Sequence, residues 1–370
     1  MSAGVVASSH TILFSGGGSA GHLAPGFALA QELEGRGLAC PFATPGEDVE
    51  SRWFHGRPEP HTLHARRLPR SVPSMASFPF HLWKGTRQAR RLLREERIDA
   101  VVALGGWPCT PAVLAARWTK TPLVFLVPDA VPGVLVKRFA RWAQRLYLAV
   151  DGARATLEPH PGIVVGGPLL RREVLDAPAA PERFGLQPDR RTLLVTGGSL
   201  GARGLNDRFL AGLQAALAAE PDLADRIQVL HSAGREAERV APPYAELGLP
   251  HHVSAYVEDM GAAYRIADLV LARAGANTCA ELEALGQPAV FVPYPHHADR
   301  QQFLNAEPLV ARGAARIVEE EALTPDAVRD AVLGLLLDEP ALAAMRAAAQ
   351  AQQTPAATVV ADDLIRLLEE

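Results

Sequence analysis

A short apolar run that ends in glycines and continues into a helical pattern occurs twice in this chain. It reads TILFSGGGSAGH over residues 11–22 and TLLVTGGSLGAR over residues 192–203, so that Gly197 lies 180 positions after Gly17. A strand that passes through a glycine turn into a helix is the opening unit of a doubly wound parallel sheet. The recurrence therefore predicts two similar α/β domains that face each other.

The remaining pattern is also that of an α/β protein. Short apolar runs rich in β-branched residues alternate with helical stretches, and their continuous apolarity indicates strands that are buried on both faces. Helices are predicted over 25–36, with Pro25 in the first turn, and over 83–96, 206–219 and 276–285. Strands are predicted at 11–14, 100–104, 123–127, 146–150, 163–165, 192–196, 227–231, 253–256, 269–272, 289–292 and 315–318.

The domain boundary is predicted at a Gly-Gly-Pro turn, residues 166–168, which precedes the second glycine-rich turn. The two domains then span 1–166 and 167–350, and 370 residues are enough for two hydrophobic cores. The remainder, 351–370, holds an amphipathic helix that we expect to return to the N-terminal domain.

Composition argues against several other classes of protein. Apolar residues make up 48% and charged residues 21%, and no apolar run approaches the roughly 18 residues that span a bilayer. The first ten residues lack the basic and apolar segments of a signal peptide, and the three cysteines are widely spaced, so we expect a cytoplasmic protein. The net charge of −4 predicts no general affinity for nucleic acid.

Charge is nevertheless concentrated in one segment, since residues 66–97 carry nine basic and two acidic side chains. Such a run is typical of a solvated helix face. Apolar side chains interleaved with arginine and lysine are also what a protein needs to lie on an anionic membrane surface, so both interpretations stay open. The side chains that would form this surface are Phe78, Phe80, Leu82, Trp83, Lys84 and Arg87.

The first glycine turn formally matches the G-x-G-x-x-G pattern of dinucleotide sites. A dinucleotide site also needs an acidic residue at the end of the next strand, and residues 41–46 provide none there. His22 follows the turn directly, and it is either a satisfied polar residue or a reactive group. In the second turn, Ser199 fits a hydrolase nucleophile elbow or a phosphate-binding turn. Two such turns on facing domains favour phosphate binding.

The most informative segment is ARAGANTCAELEALGQPAVFVPYPHHADRQQFLNA, residues 272–306. Glu281 lies about one turn into a helix, where a carboxylate can accept both hydroxyls of a ribose. Gln301 and Gln302 open a later helix, and adjacent amides suit sugar hydroxyls. The neighbouring histidines 296 and 297 do not have the spacing of metal ligands, so we expect no metal site.

Six segments together carry a resemblance to a known family. They are GGSAGHLAPG (17–26), GGWPCTP (105–111), GGSLGARGLN (197–206), HSAGR (231–235), YVEDMGAAY (256–264) and the 272–306 segment. In these segments, which follow in order over nearly the whole chain, the sequence resembles the bacterial peptidoglycan N-acetylglucosaminyltransferases, the lipid II synthases. The resemblance implies two Rossmann-like domains around a cleft, the GT-B architecture, with UDP-N-acetylglucosamine in the C-terminal domain and a lipid-linked acceptor in the N-terminal domain.

The resemblance also assigns roles to individual residues. His22 would lie near the reacting centre, together with Ser19 and Gly21 of the same turn. The donor would be held by Ser199 at the diphosphate, the Val257 backbone at the uracil, Glu281 at the ribose, and Gln301 and Gln302 at the sugar. The diphosphate arginine is Arg171 or Arg172, because the segment GGPLLRREV is one residue longer than the family pattern.

One segment departs from the family pattern. After the strand at 123–125 the family has His-Glu-Gln-Asn, whereas this chain has Leu126-Val127-Pro128-Asp129. Asp129 is therefore the one polar candidate left on the acceptor side. The departure leaves open a UDP-sugar transferase with another acceptor, or a homologue that binds UDP-sugar without turnover.

The sequence therefore predicts an inverting transfer of N-acetylglucosamine from UDP to undecaprenyl-pyrophosphoryl-MurNAc-pentapeptide at the cytoplasmic face of the plasma membrane. His22 is the first candidate for the general base, and Asp129 is the rival. No Asp-x-Asp pair stands near the motifs, so we expect no metal or other cofactor.

Overall fold

The computed structural model describes residues 10–18, 20–46, 54–65, 72–198, 201–349 and 356–370, with the side chains of 20 and 72–76 left out of the description. The chain forms two compact units. The N-terminal unit contains Met1–Arg171 and Thr354–Glu370, and the C-terminal unit contains Arg172–Gln353. Among the described residues, no helix combines the length and apolarity needed to cross a membrane.

Parallel strands and helices alternate along the described part of the chain. The strands are β1 (Ile12–Ser15), β2 (Phe42–Thr44), β3 (His61–Thr62), β4 (Ala100–Ala103), β5 (Leu123–Val127), β6 (Arg145–Leu148), β7 (Ile163–Val165), β8 (Arg191–Thr196), β9 (Ile227–Ser232), β10 (His251–Ser254), β11 (Leu269–Ala272), β12 (Ala289–Phe291) and β13 (Ala315–Ile317). The helices are α1 (Ala20–Glu34), α2 (Val72–Glu95), α3 (Thr110–Thr119), α4 (Val134–Phe139), α5 (Arg172–Leu175), α6 (Arg203–Ala219), α7 (Ala237–Glu246), α8 (Met260–Ile266), α9 (Ala276–Leu285), α10 (Gln301–Ala311), α11 (Pro325–Ala327), α12 (Gly334–Leu337), α13 (Glu339–Ala349) and α14 (Ala356–Glu369). A π-helical turn, Val328–Leu333, joins α11 to α12, and 3₁₀ turns lie at Trp107–Cys109, Ala140–Trp142, Asp151–Thr156, Pro181–Phe184, Pro221–Asp225, Gly234–Glu236 and Glu320–Ala322.

Each unit contains one parallel sheet with helices on both faces. The sheet order is β3-β2-β1-β4-β5-β6-β7 in the N-terminal unit and β10-β9-β8-β11-β12-β13 in the C-terminal unit. The strand order reverses beside β1 and β8, and ligands of open α/β sheets bind at such switch points, beyond the carboxyl ends of the strands. Both glycine turns follow these two strands. The predicted α/β class with two doubly wound domains is confirmed.

The cores explain the continuous apolarity of the strands. All five residues of β5 are buried, and one face of the N-terminal sheet packs on α2, α3 and α4. The opposite face packs on α1 and α14, with Val360, Ala361 and Leu364 of α14 fully buried. In the C-terminal unit α6, α7, the π-helical turn, α12 and α13 cover one face, and α8, α9 and α10 cover the other.

The C-terminal helix α14 is part of the N-terminal unit. Beyond its apolar face, Asp363 accepts a hydrogen bond from the Tyr147 hydroxyl at 3.0 Å and pairs with Arg145 at 3.0 Å. The chain therefore leaves its first unit after Arg171 and returns to it for the last helix.

Several element boundaries differ from the prediction. Helix α1 begins at Ala20, so Pro25 lies inside it and not in its first turn. Helix α2 begins eleven residues before the predicted start and contains Pro79. The edge strand β10 begins two residues earlier than predicted, and β2 and β3 were not predicted. Strands of three and two residues are too short for a periodicity signal. Pairing stabilises them more than local sequence does, since β2 pairs with β1 and β3 pairs with β2.

Candidate functional site

The first candidate group lies at the carboxyl ends of β1 and β4, where His22 packs against two glycines. A Cβ on Gly105 would lie 3.3 Å from Cδ2 of His22, and a Cβ on Gly106 would lie 3.4 Å from Cε1. Both glycines have φ in the left-handed region, at +89° and +70°, which L side chains rarely adopt. The GGW turn therefore forms a close wall for the imidazole ring.

The electrostatic surroundings keep His22 neutral near physiological pH. Burial lowers the pKa of His22 below its ordinary value. The negative charge of Asp129 and a hydrogen bond with the Gly17 backbone raise the pKa, but by less than burial lowers it. The structure thus brings His22 and Asp129 within electrostatic reach, one after β1 and the other after β5, although they lie 107 positions apart in sequence.

Two predicted serines, Ser19 and Ser199, lie outside the described residues. Gly21 is the second residue of α1 and is exposed. Arg171 is half-buried, whereas Arg172 is exposed as the first residue of α5.

The second candidate group lies in the C-terminal unit, where Glu281 is held below the surface of α9. Glu281 is 6% exposed, and the hydroxyl of Tyr264 on α8 donates a hydrogen bond to its Oε2 atom at 3.1 Å. Val257 is buried just before α8. Asp259 caps that helix by accepting from the Ala262 amide at 2.9 Å. One short helix therefore connects the segment around Val257 with Glu281.

The segment that follows β12 is stiffened by its own polar residues. The Tyr294 amide donates to Oε1 of Gln302 at 2.8 Å, and the Gln301 amide donates to Oδ1 of Asp299 at 3.2 Å. Gln301 is the first residue of α10, and its side chain is half-buried. The two glutamines thus have different environments. The amide oxygen of Gln302 closes the 294–302 loop by a hydrogen bond, whereas Gln301 is the first residue of the helix.

An open cavity of about 450 Å³ lies between this loop and the second glycine turn. Its walls include Gly197, Gly201, Arg203, Arg273, Tyr294 and Gln302. The cavity has the size of a small-molecule site and lies where parallel sheets bind ligands.

Comparisons with known proteins agree with these two units. Residues 12–148 match the glycosyltransferase family 28 N-terminal domain, and residues 192–360 match the glycosyltransferase family 28 C-terminal domain. The chain belongs to glycosyltransferase family 28. The two matched regions together span most of the chain, so the resemblance noted in the motifs is confirmed at the level of both domains.

Full-length relatives of this family 28 chain carry one name, UDP-N-acetylglucosamine--N-acetylmuramyl-(pentapeptide) pyrophosphoryl-undecaprenol N-acetylglucosamine transferase. The protein from Geobacter metallireducens is 34% identical over 96% of this chain and 98% of its own length. The protein from Corynebacterium diphtheriae is 35% identical over 96% of both chains. The crystal structure of Acinetobacter baumannii MurG superposes with a TM-score of 0.70 at 28% identity, covering 96% of this chain and 99% of that one.

The predicted membrane residues of this glycosyltransferase lie on α2. Phe80 and Trp83 are 62% and 52% exposed, and the Arg87 guanidinium lies 5.6 Å from the Trp83 ring centre. Lys84 is exposed, whereas Phe78 and Leu82 are half-buried. The exposed rings are therefore flanked by cations, as the sequence predicted for this helix.

Trp118 on α3 belongs with this surface, and sequence analysis missed it. It is 58% exposed, and the Arg90 guanidinium of α2 lies 5.4 Å from its ring centre. The signal was available, since Arg117, Trp118 and Lys120 repeat the pattern of an aromatic residue among cations. We call the surface formed by Phe80, Trp83, Lys84, Arg87 and Trp118 the basic aromatic face.

Arg273 is a second residue that sequence analysis missed, in the cavity wall of the C-terminal unit. It is buried, donates to the carbonyls of Val292 at 3.0 Å and Pro293 at 3.1 Å, and pairs with Glu320. A Cβ on Gly204 would collide with the same Glu320 carboxylate. Arg273 therefore joins the loop after β12 to the start of α6. An arginine directly after an apolar strand was the signal.

A buried polar network supports the second glycine turn. His231 bonds to the Tyr244 hydroxyl at 2.8 Å and to Oδ1 of Asn206 at 3.0 Å, and burial lowers the pKa of His231 to about 3. Asn206 also donates to the Ala233 carbonyl at 3.1 Å. A Cβ on Gly201 would lie 2.5 Å from that carbonyl oxygen. The network thus holds the backbone on which the turn rests.

Proposed function

We propose that this chain transfers N-acetylglucosamine from UDP-N-acetylglucosamine to undecaprenyl-pyrophosphoryl-MurNAc-pentapeptide, with inversion at the anomeric carbon. The observation that carries the proposal is the full-length identity of 34–35% with relatives named for this transfer. The placement of the motif residues at the carboxyl ends of both sheets supports it.

The C-terminal unit would bind the donor. Glu281 accepts hydrogen bonds from the ribose hydroxyls. The backbone at Val257 contacts the uracil, and Gln301 and Gln302 bind the sugar. Amide groups of the second glycine turn and the start of α6 stabilise the diphosphate, because N–H groups and the helix dipole favour anions. Ser199 and Arg171 or Arg172 add donors to the same diphosphate.

The N-terminal unit would bind the acceptor and supply the base. The C4 hydroxyl of the muramoyl sugar attacks the anomeric carbon, its oxygen forms the new glycosidic bond, and the bond to the diphosphate oxygen breaks. His22 accepts the hydroxyl proton, and its lowered pKa keeps the imidazole neutral and able to do so. UDP leaves with the electron pair, and the donors around the diphosphate stabilise its charge.

Asp129 has a defined part in this scheme. Its negative charge raises the pKa of His22 and so favours the imidazolium that forms when the proton arrives. The alternative is that Asp129 is itself the base, since it occupies the position where the family has asparagine.

The basic aromatic face would hold the enzyme on the cytoplasmic surface of the plasma membrane. Trp and Phe rings enter the headgroup region while Lys84 and Arg87 interact with anionic lipids. A lipid-linked acceptor stays in that membrane, so an enzyme docked by this face works where its substrate is. The enzyme would be a peripheral protein with no nucleic-acid partner.

A second candidate function is transfer from a UDP-sugar to a different acceptor. The observation that favours it is the segment Leu126-Val127-Pro128-Asp129, which stands where the family has four polar residues and keeps only one polar side chain, Asp129. A homologue that binds UDP-sugar without turnover would show the same donor site.

A transfer assay with labelled UDP-N-acetylglucosamine and a short-chain lipid I analogue separates these functions. We expect labelled disaccharide product from the parent enzyme, and a rate at least about tenfold lower after Glu281→Ala at a donor concentration below the parent KM. UDP-sugar binding without product on the lipid I analogue would contradict the proposed acceptor. Product formation on another lipid or sugar would then select the second candidate.

A further inference from the structure

Tyr264 and Glu281 come from neighbouring helices of the C-terminal unit and meet beneath its surface. The Tyr264 hydroxyl donates to Oε2 of Glu281 at 3.1 Å, and the two residues are 2% and 6% exposed. A buried carboxylate requires hydrogen-bond donors, and an O–H donor to a charged oxygen forms one of the stronger bonds in proteins. The tyrosine hydroxyl is therefore part of what holds this glutamate in place.

Helix α8 presents that hydroxyl from a fixed backbone. Asp259 caps the helix through the Ala262 amide and pairs with Arg183. Gly261 approaches the segment around α5 so closely that a Cβ would lie 2.6 Å from Cβ of Ala177. The position of α8 thus depends on contacts that are separate from the bond to Glu281.

We propose that Tyr264 is a positioning residue that orients the Glu281 carboxylate toward the two vicinal hydroxyls of a nucleotide ribose. This inference rests on the proposed function. The terminal torsion of a glutamate is broad, so an unanchored carboxylate must be ordered when the ligand binds. Anchoring Oε2 sets the carboxylate plane before the ribose arrives. Tyr264 then acts on donor binding and on the preference for ribose over deoxyribose, and not on the transfer step.

Titration calorimetry of the full chain with UDP and with 2′-deoxyuridine diphosphate tests the proposal. The variants are Tyr264→Phe, Glu281→Gln and the double variant. Tyr244→Phe is the matched control, because it removes another buried tyrosine hydroxyl of the same unit, bonded to His231 at 2.8 Å. Thermal melting of each variant verifies that it is folded.

We expect Tyr264→Phe to weaken UDP binding about tenfold, the scale of one hydrogen bond to a charged group, and to weaken deoxy-UDP binding less. The ratio of the two affinities should fall, kcat at saturating donor should stay near the parent value, and Tyr244→Phe should keep the parent ratio. The double variant, which carries no buried charge, should bind like Glu281→Gln alone.

If Tyr264→Phe weakens the binding of both nucleotides equally, the ratio of their affinities stays at the parent value. That result would show that Tyr264 only packs. If Tyr264→Phe does not fold, a double variant that binds more weakly than Glu281→Gln gives the same negative answer. A parent enzyme that binds no UDP would instead overturn the proposed function, so the two failures are distinct.

Discussion

Among the residues proposed to bind the donor, Glu281 has a carboxylate that is almost completely buried. Its replacement should therefore have the clearest effect on donor binding. A carboxylate with 6% exposure has lost most of its hydration, so each hydrogen bond that an N–H or O–H group donates to it is strong. Hydrogen bonds to charged groups contribute about 1.5–3 kcal/mol each. In the proposed function, hydrogen bonds of this kind from the ribose hydroxyls would hold the nucleotide.

We predict that Glu281→Ala raises KM for UDP-N-acetylglucosamine strongly, by at least about tenfold, while the fold stays intact. Initial-rate kinetics against donor concentration measure this change. Glu283→Ala is the control, since Glu283 lies on the same helix and pairs with Arg312. An unchanged KM in Glu281→Ala would mean that the 272–306 segment has another role.

His22 is the proposed acceptor of the hydroxyl proton. A general base contributes about 10²–10⁴-fold to rate, so His22→Ala should lower kcat at least about 100-fold and leave UDP affinity nearly unchanged. A joint loss of rate, donor affinity and stability would make His22 a residue that shapes the loop. Near-parent kcat in His22→Ala, beside an inactive Asp129→Asn enzyme, would transfer the role to Asp129.

The pH profile tests the same pair. A base works when it is deprotonated, so kcat/KM should be lost as pH falls through the folded pKa of His22, which burial lowers below its ordinary value. Asp129→Asn removes a charge that raises this pKa, so the acidic limb should move to lower pH. A limb that stays in place would show that Asp129 does not act on the titrating group.

Helix α2 has one face that packs into the core and another that exposes large aromatic side chains. Ala89, Leu92 and Leu93 pack into the core, whereas Phe80 and Trp83 point outward among cations. A helix whose solvent face carries large rings is suited to a membrane surface, because a solvated helix face gains nothing from exposing them.

We predict that Phe80→Ser with Trp83→Ser reduces binding to anionic vesicles, and that high salt weakens the remaining binding. Vesicle sedimentation at low and high salt measures both effects. Val359→Ser is the control, because Val359 is 38% exposed on α14, across the sheet from α2. If the double variant sediments like the parent, α2 is a solvated helix face.

Helix α14 belongs to the N-terminal unit, although the whole C-terminal unit lies between them in the sequence. Val360, Ala361 and Leu364 are fully buried, and Asp363 pairs with Arg145. Burial of the two larger apolar side chains contributes on the order of 5 kcal/mol. The stability of the N-terminal unit therefore depends on a helix that follows the whole C-terminal unit in the sequence.

Deletion of residues 356–370 should lower the melting temperature of the N-terminal unit by about 10 °C or more and leave the C-terminal transition in place. Scanning calorimetry with and without UDP measures this, since a ligand of the C-terminal unit raises its transition. Asp363→Asn, which keeps the apolar face, should cause a smaller shift. Equal loss in both transitions would contradict the assignment of α14 to one unit.

Patterns among neighbouring residues were enough to predict the fold class, several element boundaries and the family. Glycine turns after apolar strands are read from neighbouring residues, and they predicted the two doubly wound sheets. Helix Ala276–Leu285 was predicted to the residue, because its apolar spacing and the glycines on both sides are all local. The order of the motifs indicated the family.

Tertiary structure alone decided which distant residues meet. Arg273 and Glu320 are 47 positions apart, His22 and Asp129 are 107 apart, and Tyr264 reaches Glu281 from a different helix. Strands β2 and β3 exist because a neighbouring strand pairs with them, and Trp118 joins the basic aromatic face because α3 packs against α2. Sequence spacing does not encode such contacts, since they arise when packed sheets and helices bring remote side chains within hydrogen-bond or van der Waals distance.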